Sequence, residues 1–414
     1  MSLRLCLLAC LVAAVCANNK DTLKATNWLS THDLVQMPSL NDVTFEQLEN
    51  MPVHEGAKLL EKFYHISHVK QELSPNFVPS ASNIPVWIVK PDGQRMEAKL
   101  NNYVTKAKTL PGFGEDEVTI VLTGLPQTTS ATRKAIHKLE QAYIQRYNLQ
   151  EQQKYGQSQQ QQQRNNQYEV TSSEERTDEW KTAKTAAGNL IIIDLGNTLT
   201  SFKRYAMLDV TATGAMIGQT LVELTNKGVP QEIIHLVGQG IAAHVAGAAG
   251  QEYTAETGHK LRRITGLDPA KLITKNRDYL VGLSRSDAEF VDVIHTSSFA
   301  MGTPIRCGDV DFYPNGPSQS APGATNVIEA TMRATRYFAE SVRPGNERNF
   351  PAVVANSLKQ YKQQDGFGQR AYMGIDVDYD LQGDYILEVN EKSPFGKRVS
   401  AQKQVSYHGQ HRDA

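Results

Sequence analysis

Apolar residues along the middle of the chain follow two alternating patterns. Short, mainly apolar runs at 119–122, 190–193 and 233–237 predict buried strands. Between the second and third runs, apolar or small residues recur three and four positions apart and predict one helix face: Met207, Val210, Gly214, Ile217, Leu221 and Leu224. An earlier helix is predicted to open near Thr129 or Ser130. Alternating strands and helices indicate an α/β fold with a mainly parallel central sheet.

The third apolar run leads into a glycine-rich turn. Residues 232–247, EIIHLVGQGIAAHVAG, predict a buried strand, a tight turn and a helix. In an α/β hydrolase such a turn is the nucleophile elbow, G-x-S-x-G, whose serine attacks an ester carbonyl. Here Gly240 stands at the serine position of the frame GQGIA. Because glycine has no side-chain nucleophile, serine-ester hydrolysis at this turn is excluded, and binding, transport or storage functions remain.

The same turn admits a second interpretation. Residues 238–243, GQGIAA, also fit the G-x-G-x-x-A form of the dinucleotide fingerprint, in which helix N-terminal amides hold a pyrophosphate. That fingerprint requires an acidic residue at the end of the next strand. The next strand-like run, 261–267, is followed directly by an acidic residue, Asp268. A lone match of this kind is weak evidence, and glycines that merely let strand and helix approach closely explain it without a ligand.

Motifs that flank the turn carry a resemblance to a known family. The stretches RITGLDPA (263–270), SDAEFVDVIHT (286–296) and DFYPNG (311–316) follow GQGIA along the chain. In order and spacing they resemble the neutral lipases of the pancreatic and lipoprotein type, from about Val118 to Phe395. The resemblance implies an α/β-hydrolase fold.

The resemblance also marks three positions of a catalytic triad. The lipase nucleophile falls on Gly240, the aspartate on Asp268, and the histidine on or beside Thr331. The strand end that contributes to the oxyanion hole appears as Thr123-Gly124-Leu125. Without an imidazole base no neighbouring hydroxyl can be activated. We therefore expect no enzymatic activity and a structural role for Asp268, satisfied by strand-end amides.

A lipase-like chain without its serine and with a glutamine-rich insertion resembles the yolk proteins, or lipase-related vitellogenins, of higher flies. That resemblance covers nearly the whole chain. It implies secretion into haemolymph, receptor-mediated uptake by oocytes, and storage in yolk granules as a nutrient reservoir for the embryo. It also leaves open a homo- or hetero-oligomer with related yolk proteins.

Composition and the N-terminus define the outer segments. Lys and Arg total 43 against 44 for Asp and Glu in 414 residues, so no general attraction to nucleic acid is expected. Residues 1–17 have the pattern of a signal peptide, with an apolar run too short to span a bilayer, and no transmembrane segment is predicted. We assign 18–113 to an N-terminal extension, 114–396 to the lipase-like domain and 397–414 to a polar tail. Cys307 is the one cysteine outside the signal and is expected to be a buried small hydrophobe.

The domain contains a compositional break at 150–180, rich in glutamine and acidic residues. With almost nothing apolar to bury, this insertion is predicted to be disordered. Tyr168, beside Glu169, suits tyrosine sulfation, and Ser172 and Ser173 have acidic residues at the +2 position that suit phosphorylation. Either modification adds negative charge to an exposed loop.

Two further functions remain possible interpretations beside storage: a ligand carrier and a receptor-binding module. An emptied hydrolase pocket could carry a steroid conjugate or another lipophilic ligand, and an inert surface could present charge to an endocytic receptor. No cofactor and no metal site are predicted.

In the N-terminal extension, Leu59, Leu60, Phe63 and Tyr64 suggest a short amphipathic helix, and Pro85–Val89 suggests a strand at the sheet edge.

Overall fold

A computed structural model describes residues 39–70, 74–90, 92–148, 188–273, 282–317, 319–363 and 370–397. The predicted signal peptide at 1–17 lies outside the described residues. So do the insertion at 150–180, with Tyr168, Ser172 and Ser173, and the tail beyond Lys397. None of the helices in the described ranges is both long and apolar enough to cross a membrane.

The described residues form a sheet of 11 strands. In chain order these are β1 (Pro85–Val89), β2 (Arg95–Lys99), β3 (Val118–Leu122), β4 (Asn189–Ile193), β5 (Ile234–Gln239), β6 (Arg263–Leu267), β7 (Phe290–Ile294), β8 (Val310–Pro314), β9 (Pro351–Val354), β10 (Arg370–Tyr372) and β11 (Gly383–Leu387). Their spatial order is β10-β9-β11-β8-β7-β6-β5-β3-β4-β1-β2. The strands from β11 to β4 in that order are parallel, and those outside them are antiparallel.

Helices cover both faces of this sheet. They are α1 (Phe45–Asn50), α2 (Val53–Lys70), α3 (Tyr103–Ala107), α4 (130–148), α5 (Phe202–Ala206), α6 (Val210–Asn226), α7 (Ile241–Thr257), α8 (Val327–Val342) and α9 (Leu358–Gln363). The buried strands and the covering helices confirm the predicted α/β-hydrolase architecture with its mainly parallel sheet.

Local chemistry explains where the central helices begin and how closely they pack. Helix α6 begins at Val210 rather than Met207, because the Asp209 side chain accepts a hydrogen bond from the Ala212 amide and caps the helix. Gly214 lies where α6 crosses α7, and a Cβ there would overlap the Ala248 side chain. The sequence therefore permits close contact of two helices on one face of the sheet.

The N-terminal extension differs from its predicted form in two respects. Strand β1 is not the sheet edge, because it pairs with β4 on one side and with β2 on the other. Helix α2 spans 18 residues and is not short. Residues of both elements, including Val86 and Phe63, belong to the same apolar cluster as the central strands. The extension is thus part of the hydrolase core.

Cys307 also differs from its expectation. It is half-buried rather than buried, and its Sγ donates a hydrogen bond to the Ile305 carbonyl at 3.1 Å. Burial raises the pKa of the Cys307 thiol to about 12. A thiol with so high a pKa is a poor nucleophile near neutral pH.

Candidate functional site

The candidate site lies where five parallel strands end. Strands β3, β4, β5, β6 and β7 are followed by Thr123, Asp194, Gly240, Asp268 and His295. Carboxyl ends of parallel strands meet at one edge of a sheet, where ligands bind in open α/β folds. Two of the three positions marked by the lipase resemblance, Gly240 and Asp268, therefore lie at this edge.

Gly240 has the backbone conformation of an elbow. Its φ is +59° and its ψ is −123°, between the end of β5 and the start of α7. Its amide donates to the Leu267 carbonyl at 2.9 Å, and its own carbonyl accepts from the Ala243 amide at 3.1 Å and the Ala270 amide at 3.2 Å. Glycine adopts this positive φ without a steric clash from a Cβ atom.

The space around Gly240 is open on its side-chain side. A Cβ built on Gly240 would meet no non-adjacent heavy atom within 4 Å. Close packing therefore does not require glycine here, and the backbone conformation is the feature that favours it. A Cβ atom at this position would meet free space.

Asp268 is fully buried and held by its neighbours. Its Oδ1 accepts hydrogen bonds from the amides of Thr296 and Ser297, each at 2.8 Å, and its Oδ2 accepts one from the Ser297 hydroxyl. Burial raises the pKa of Asp268, and the hydrogen bonds oppose that rise. The predicted satisfaction of this carboxylate by strand-end amides agrees with the geometry, and the Ser297 hydroxyl supplements it.

Thr331 lies on α8 and reaches Asp268 through one intermediary. Its hydroxyl is 2.9 Å from the Ser297 hydroxyl, which also bonds Asp268. Helix α8 is further tied to the elbow, because the Gln239 side-chain amide donates to the Thr335 hydroxyl at 2.8 Å. The three marked positions thus converge at one site, but a serine hydroxyl occupies the place between Asp268 and residue 331.

Two buried histidines near the site have both ring nitrogens occupied. His295 contacts the Thr303 carbonyl at 3.1 Å and the Asp311 carboxylate at 2.7 Å. His244 contacts the Ala270 carbonyl at 2.7 Å and the Leu283 amide at 2.9 Å. Burial lowers the pKa of His244. Neither ring has a free nitrogen that could act as a base toward position 240.

Residues of the N-terminal extension cover the site. We call residues 43–64, which include α1 and most of α2, the N-terminal strap. Phe45 packs edge-on against Phe202 and Tyr205 at centroid distances of 6.0 and 5.6 Å, and Phe63 lies 5.6 Å from Phe202. Burial raises the pKa of Tyr205, and the nearby Asp268 carboxylate raises it further. The strap therefore packs onto aromatic side chains beside the marked aspartate.

Polar contacts anchor the strap at both ends. The Glu49 carboxylate accepts hydrogen bonds from the first two amides of α4, Ser130 at 3.0 Å and Ala131 at 2.7 Å. A carboxylate at a helix N-terminus is stabilised by the unpaired amides and by the helix dipole. Farther along, Glu61 forms a largely buried ion pair with Lys271 at 3.0 Å.

A small cavity remains between the strap and the site. Its lining residues are Leu60, Tyr64, Phe202, Tyr205, Lys271, Ile273, Ala300 and Met301, and its volume is about 20 Å³. A space of this size holds roughly one water molecule. Small-molecule sites have volumes of ~300–1,000 Å³. Within the described residues, this cavity is too small for a steroid or an acyl chain.

The described ranges contain no cluster of three or more His, Cys, Asp or Glu side chains that could hold a metal ion.

Sequence patterns missed Ser297, Glu49, Glu61 and Lys271, because each acts through a partner far away in the chain. One local signal was present. Thr44 and Gln47 form a capping box before the apolar residues of α1, which marks the start of a helix.

Comparisons with known proteins agree with this architecture. The lipase family model matches residues 113–395. The chain is 69% identical to Vitellogenin-3 of Drosophila melanogaster over 99% of both chains. It is 56% identical to Vitellogenin-1 of Ceratitis capitata, covering 98% of this chain and 96% of that one.

A vertebrate relative shows a more distant similarity. Inactive pancreatic lipase-related protein 1 of Homo sapiens is 31% identical over 43% of this chain and 42% of its own length. Both the family match and the insect relatives cover most of the chain. The chain therefore belongs to the fly yolk-protein (vitellogenin) family within the lipase superfamily.

Proposed function

We propose that the chain is a secreted yolk storage protein without lipase activity, which oocytes take up as a nutrient reservoir for the embryo. The observation that carries the proposal is glycine at position 240, in a turn that has the conformation of a nucleophile elbow. Gly240, Asp268 and Thr331 are then vestigial triad positions. The Asp268–Ser297–Thr331 arrangement contains no imidazole, the group that serves as general base in the lipase triad.

Storage fits a site onto which the N-terminal strap of the same chain packs. A storage protein must fold stably and travel without reacting, and it does not need to admit a substrate. Phe45 of the strap packs against Phe202 and Tyr205, and Tyr205 lies near the aspartate. This packing supports storage over the alternative of a steroid-conjugate or lipid carrier, which requires an open cavity.

Secretion and uptake complete the proposal. Residues 1–17 act as a signal peptide, haemolymph is the extracellular compartment, and an oocyte endocytic receptor delivers the protein to yolk granules. Association with related yolk proteins belongs to the same proposal. Tyr168 sulfation and Ser172 and Ser173 phosphorylation would add charge to the insertion before secretion.

Two measurements test these steps. The full chain is expressed in insect secretory cells, and the N-terminus of the protein in the medium is expected at Asn18. Fluorescently labelled protein is then offered to isolated vitellogenic oocytes beside a labelled secreted protein of similar size and charge. Uptake that exceeds the control and is competed by excess unlabelled protein is expected. Uptake equal to the control would contradict the receptor step.

A further inference from the structure

The outward side of α4 carries basic residues and no acidic one. Four of its exposed positions are basic, and they lie within six consecutive residues: Arg133, Lys134, His137 and Lys138. We call these four residues the basic face of α4. The carboxylate that α4 does contain, on Glu140, is buried and pairs with Arg95 of β2. Among the described residues, no acidic side chain lies within ion-pair distance of Lys134 or Lys138.

The basic face opposes the electrostatics of the helix that carries it. The N-terminal end of a helix stabilises anions and destabilises cations, and Arg133 lies in the first turn of α4. Residues four positions apart are neighbours on a helix surface, where like charges repel. Lys134 and Lys138 have this spacing. The two lysines therefore do not stabilise α4, and a residue choice that conflicts with local stability points to a function.

The rest of α4 holds the basic face in a fixed position. On its inner side, Ile136 and Tyr143 are buried in an apolar cluster with residues of the central strands. The Arg133 guanidinium donates hydrogen bonds to the Gln127 and Thr128 carbonyls, at 3.0 and 2.8 Å. A surface that is already ordered loses little conformational freedom when a partner binds, which favours its use in recognition.

The surroundings of the basic face restrict the kind of partner. The apolar side of α4 is buried, so the helix cannot insert its apolar residues into a lipid surface. No aromatic side chain of α4 is exposed, and nucleic-acid bases therefore have no stacking platform there. The four positions extend along about 7.5 Å of the helix axis, which suits a compact group of carboxylates better than an extended polyanion. The net charge of the whole chain is −1, so attraction of an acidic partner depends on such local surfaces.

We propose that the basic face of α4 is the surface by which the chain binds the oocyte endocytic receptor, and that the receptor contributes a protein surface lined with carboxylates. Binding at this face rests on the receptor-mediated uptake proposed above. The ammonium groups of Lys134 and Lys138 donate charge-assisted hydrogen bonds to those carboxylates. Opposite charges on the two surfaces also steer the encounter and raise the association rate, most strongly at low salt.

Two matched double variants of the full chain test the basic face. Lys134→Gln/Lys138→Gln removes its two lysine charges, and Lys359→Gln/Lys362→Gln removes two exposed lysine charges from α9. Labelled proteins are bound to isolated vitellogenic oocytes on ice, and the association rate of saturable binding is measured. We expect a roughly tenfold lower rate for the α4 variant and the parent's rate for the α9 variant. Equal rates for the two variants would overturn the proposal.

A stability measurement separates lost binding from lost folding. Lys134→Gln/Lys138→Gln should be at least as stable as the parent in a urea titration, because the repulsion between the two lysines is removed. A variant that unfolds at a clearly lower urea concentration would show that the lysines act structurally. That result would overturn their role in binding.

Two further outcomes identify the partner and locate a failure. Treatment of the oocytes with heparin lyase should leave binding of the parent unchanged. Loss of binding after the treatment would assign the basic face to a sulfated polysaccharide and overturn the carboxylate partner. Absence of saturable binding by the parent would refute the proposed receptor step itself, and the basic face with it. Saturable binding that the α4 variant retains at the parent's rate would refute the basic face alone.

Discussion

Lys271 Nζ lies 3.0 Å from the Glu61 carboxylate and thereby joins the residue three positions after Asp268 to the N-terminal strap. The side chains are 13% and 4% exposed, so the pair is shielded from solvent. Together with the Glu49 contacts to α4, it fixes the strap across the edge of the sheet. Side chains of the same chain thus pack onto this edge of the hydrolase scaffold.

The first prediction concerns this ion pair. Glu61→Ala should lower the free energy of unfolding by about 3 kcal/mol, because Lys271 is left as a buried, unpaired charge. Glu55→Ala on the same helix, where the side chain is 57% exposed, should change it by less than about 0.5 kcal/mol. Chemical denaturation measures both values. Equal effects would show that the strap is not held by Glu61.

The second prediction concerns the hydroxyl chain at Asp268. Ser297→Ala removes a donor from a buried carboxylate and should cost about 1–3 kcal/mol of unfolding free energy. Thr331→Val should cost less, about 1 kcal/mol, because Ser297 keeps its bond to Asp268. Urea titrations of the two variants test the order. A larger loss for Thr331→Val would contradict the arrangement of the three residues.

The third prediction concerns the conformation of Gly240. Gly240→Ala and Gly240→Ser should each destabilise the protein by about 1–3 kcal/mol through backbone strain alone, since the added atoms meet free space. Gly240→Val should be worse because it is β-branched. Gly258→Ala is the matched control, because a Cβ there also meets free space. Gly258 has the left-handed helical conformation, with a φ of +74° and a ψ of 1°, so this change should lower the free energy of unfolding by about 1 kcal/mol. Equal stability of the parent and all three Gly240 variants would contradict an elbow.

The fourth prediction concerns acid stability. His235 is buried with Nε2 2.8 Å from the Thr265 hydroxyl, and burial, with help from the Arg263 charge, lowers its pKa well below 6.5. The unfolded chain therefore binds a proton that the folded chain excludes once the pH falls below about 6.5. Stability should decrease from pH 6.5 toward lower pH, by up to about 1.4 kcal/mol per unit from this residue.

The control for the pH prediction is His235→Gln, which retains an amide for Thr265 but does not titrate. Unfolding free energies are measured at pH 7.5, 6.5 and 5.5 for both proteins. The slope below pH 6.5 should be smaller in the variant, and His244 should account for part of the slope that remains. Identical slopes would mean that His235 is protonated in the folded state.

Local pattern in the sequence predicted the framework of this fold. The apolar run at 190–193 and the elbow at 238–242 each carry their signal within a few residues, because strand burial and turn conformation depend on near neighbours. The triad positions came from the lipase resemblance, and the structure brings Gly240, Asp268 and Thr331 together at one edge.

The sequence did not predict the N-terminal strap, and the reason is physical. Its contacts join Phe45 to Phe202 and Glu61 to Lys271, pairs that are separated by more than 150 residues. Single-residue patterns show that such side chains are apolar or charged but do not show which partner they meet. The position of β1 inside the sheet was missed for the same reason, because its pairing with both β4 and β2 depends on tertiary contacts rather than on the local sequence.

Hydrolysis by the purified protein tests the central claim most directly. The unmodified chain is incubated with short-chain esters, with triglyceride and with a fluorophosphonate that labels activated serines, beside an active pancreatic-type lipase. We predict no turnover above the buffer blank and no covalent label, and the same result for Gly240→Ser, because position 331 supplies no imidazole. A burst of acyl-enzyme in the unmodified protein would contradict the account.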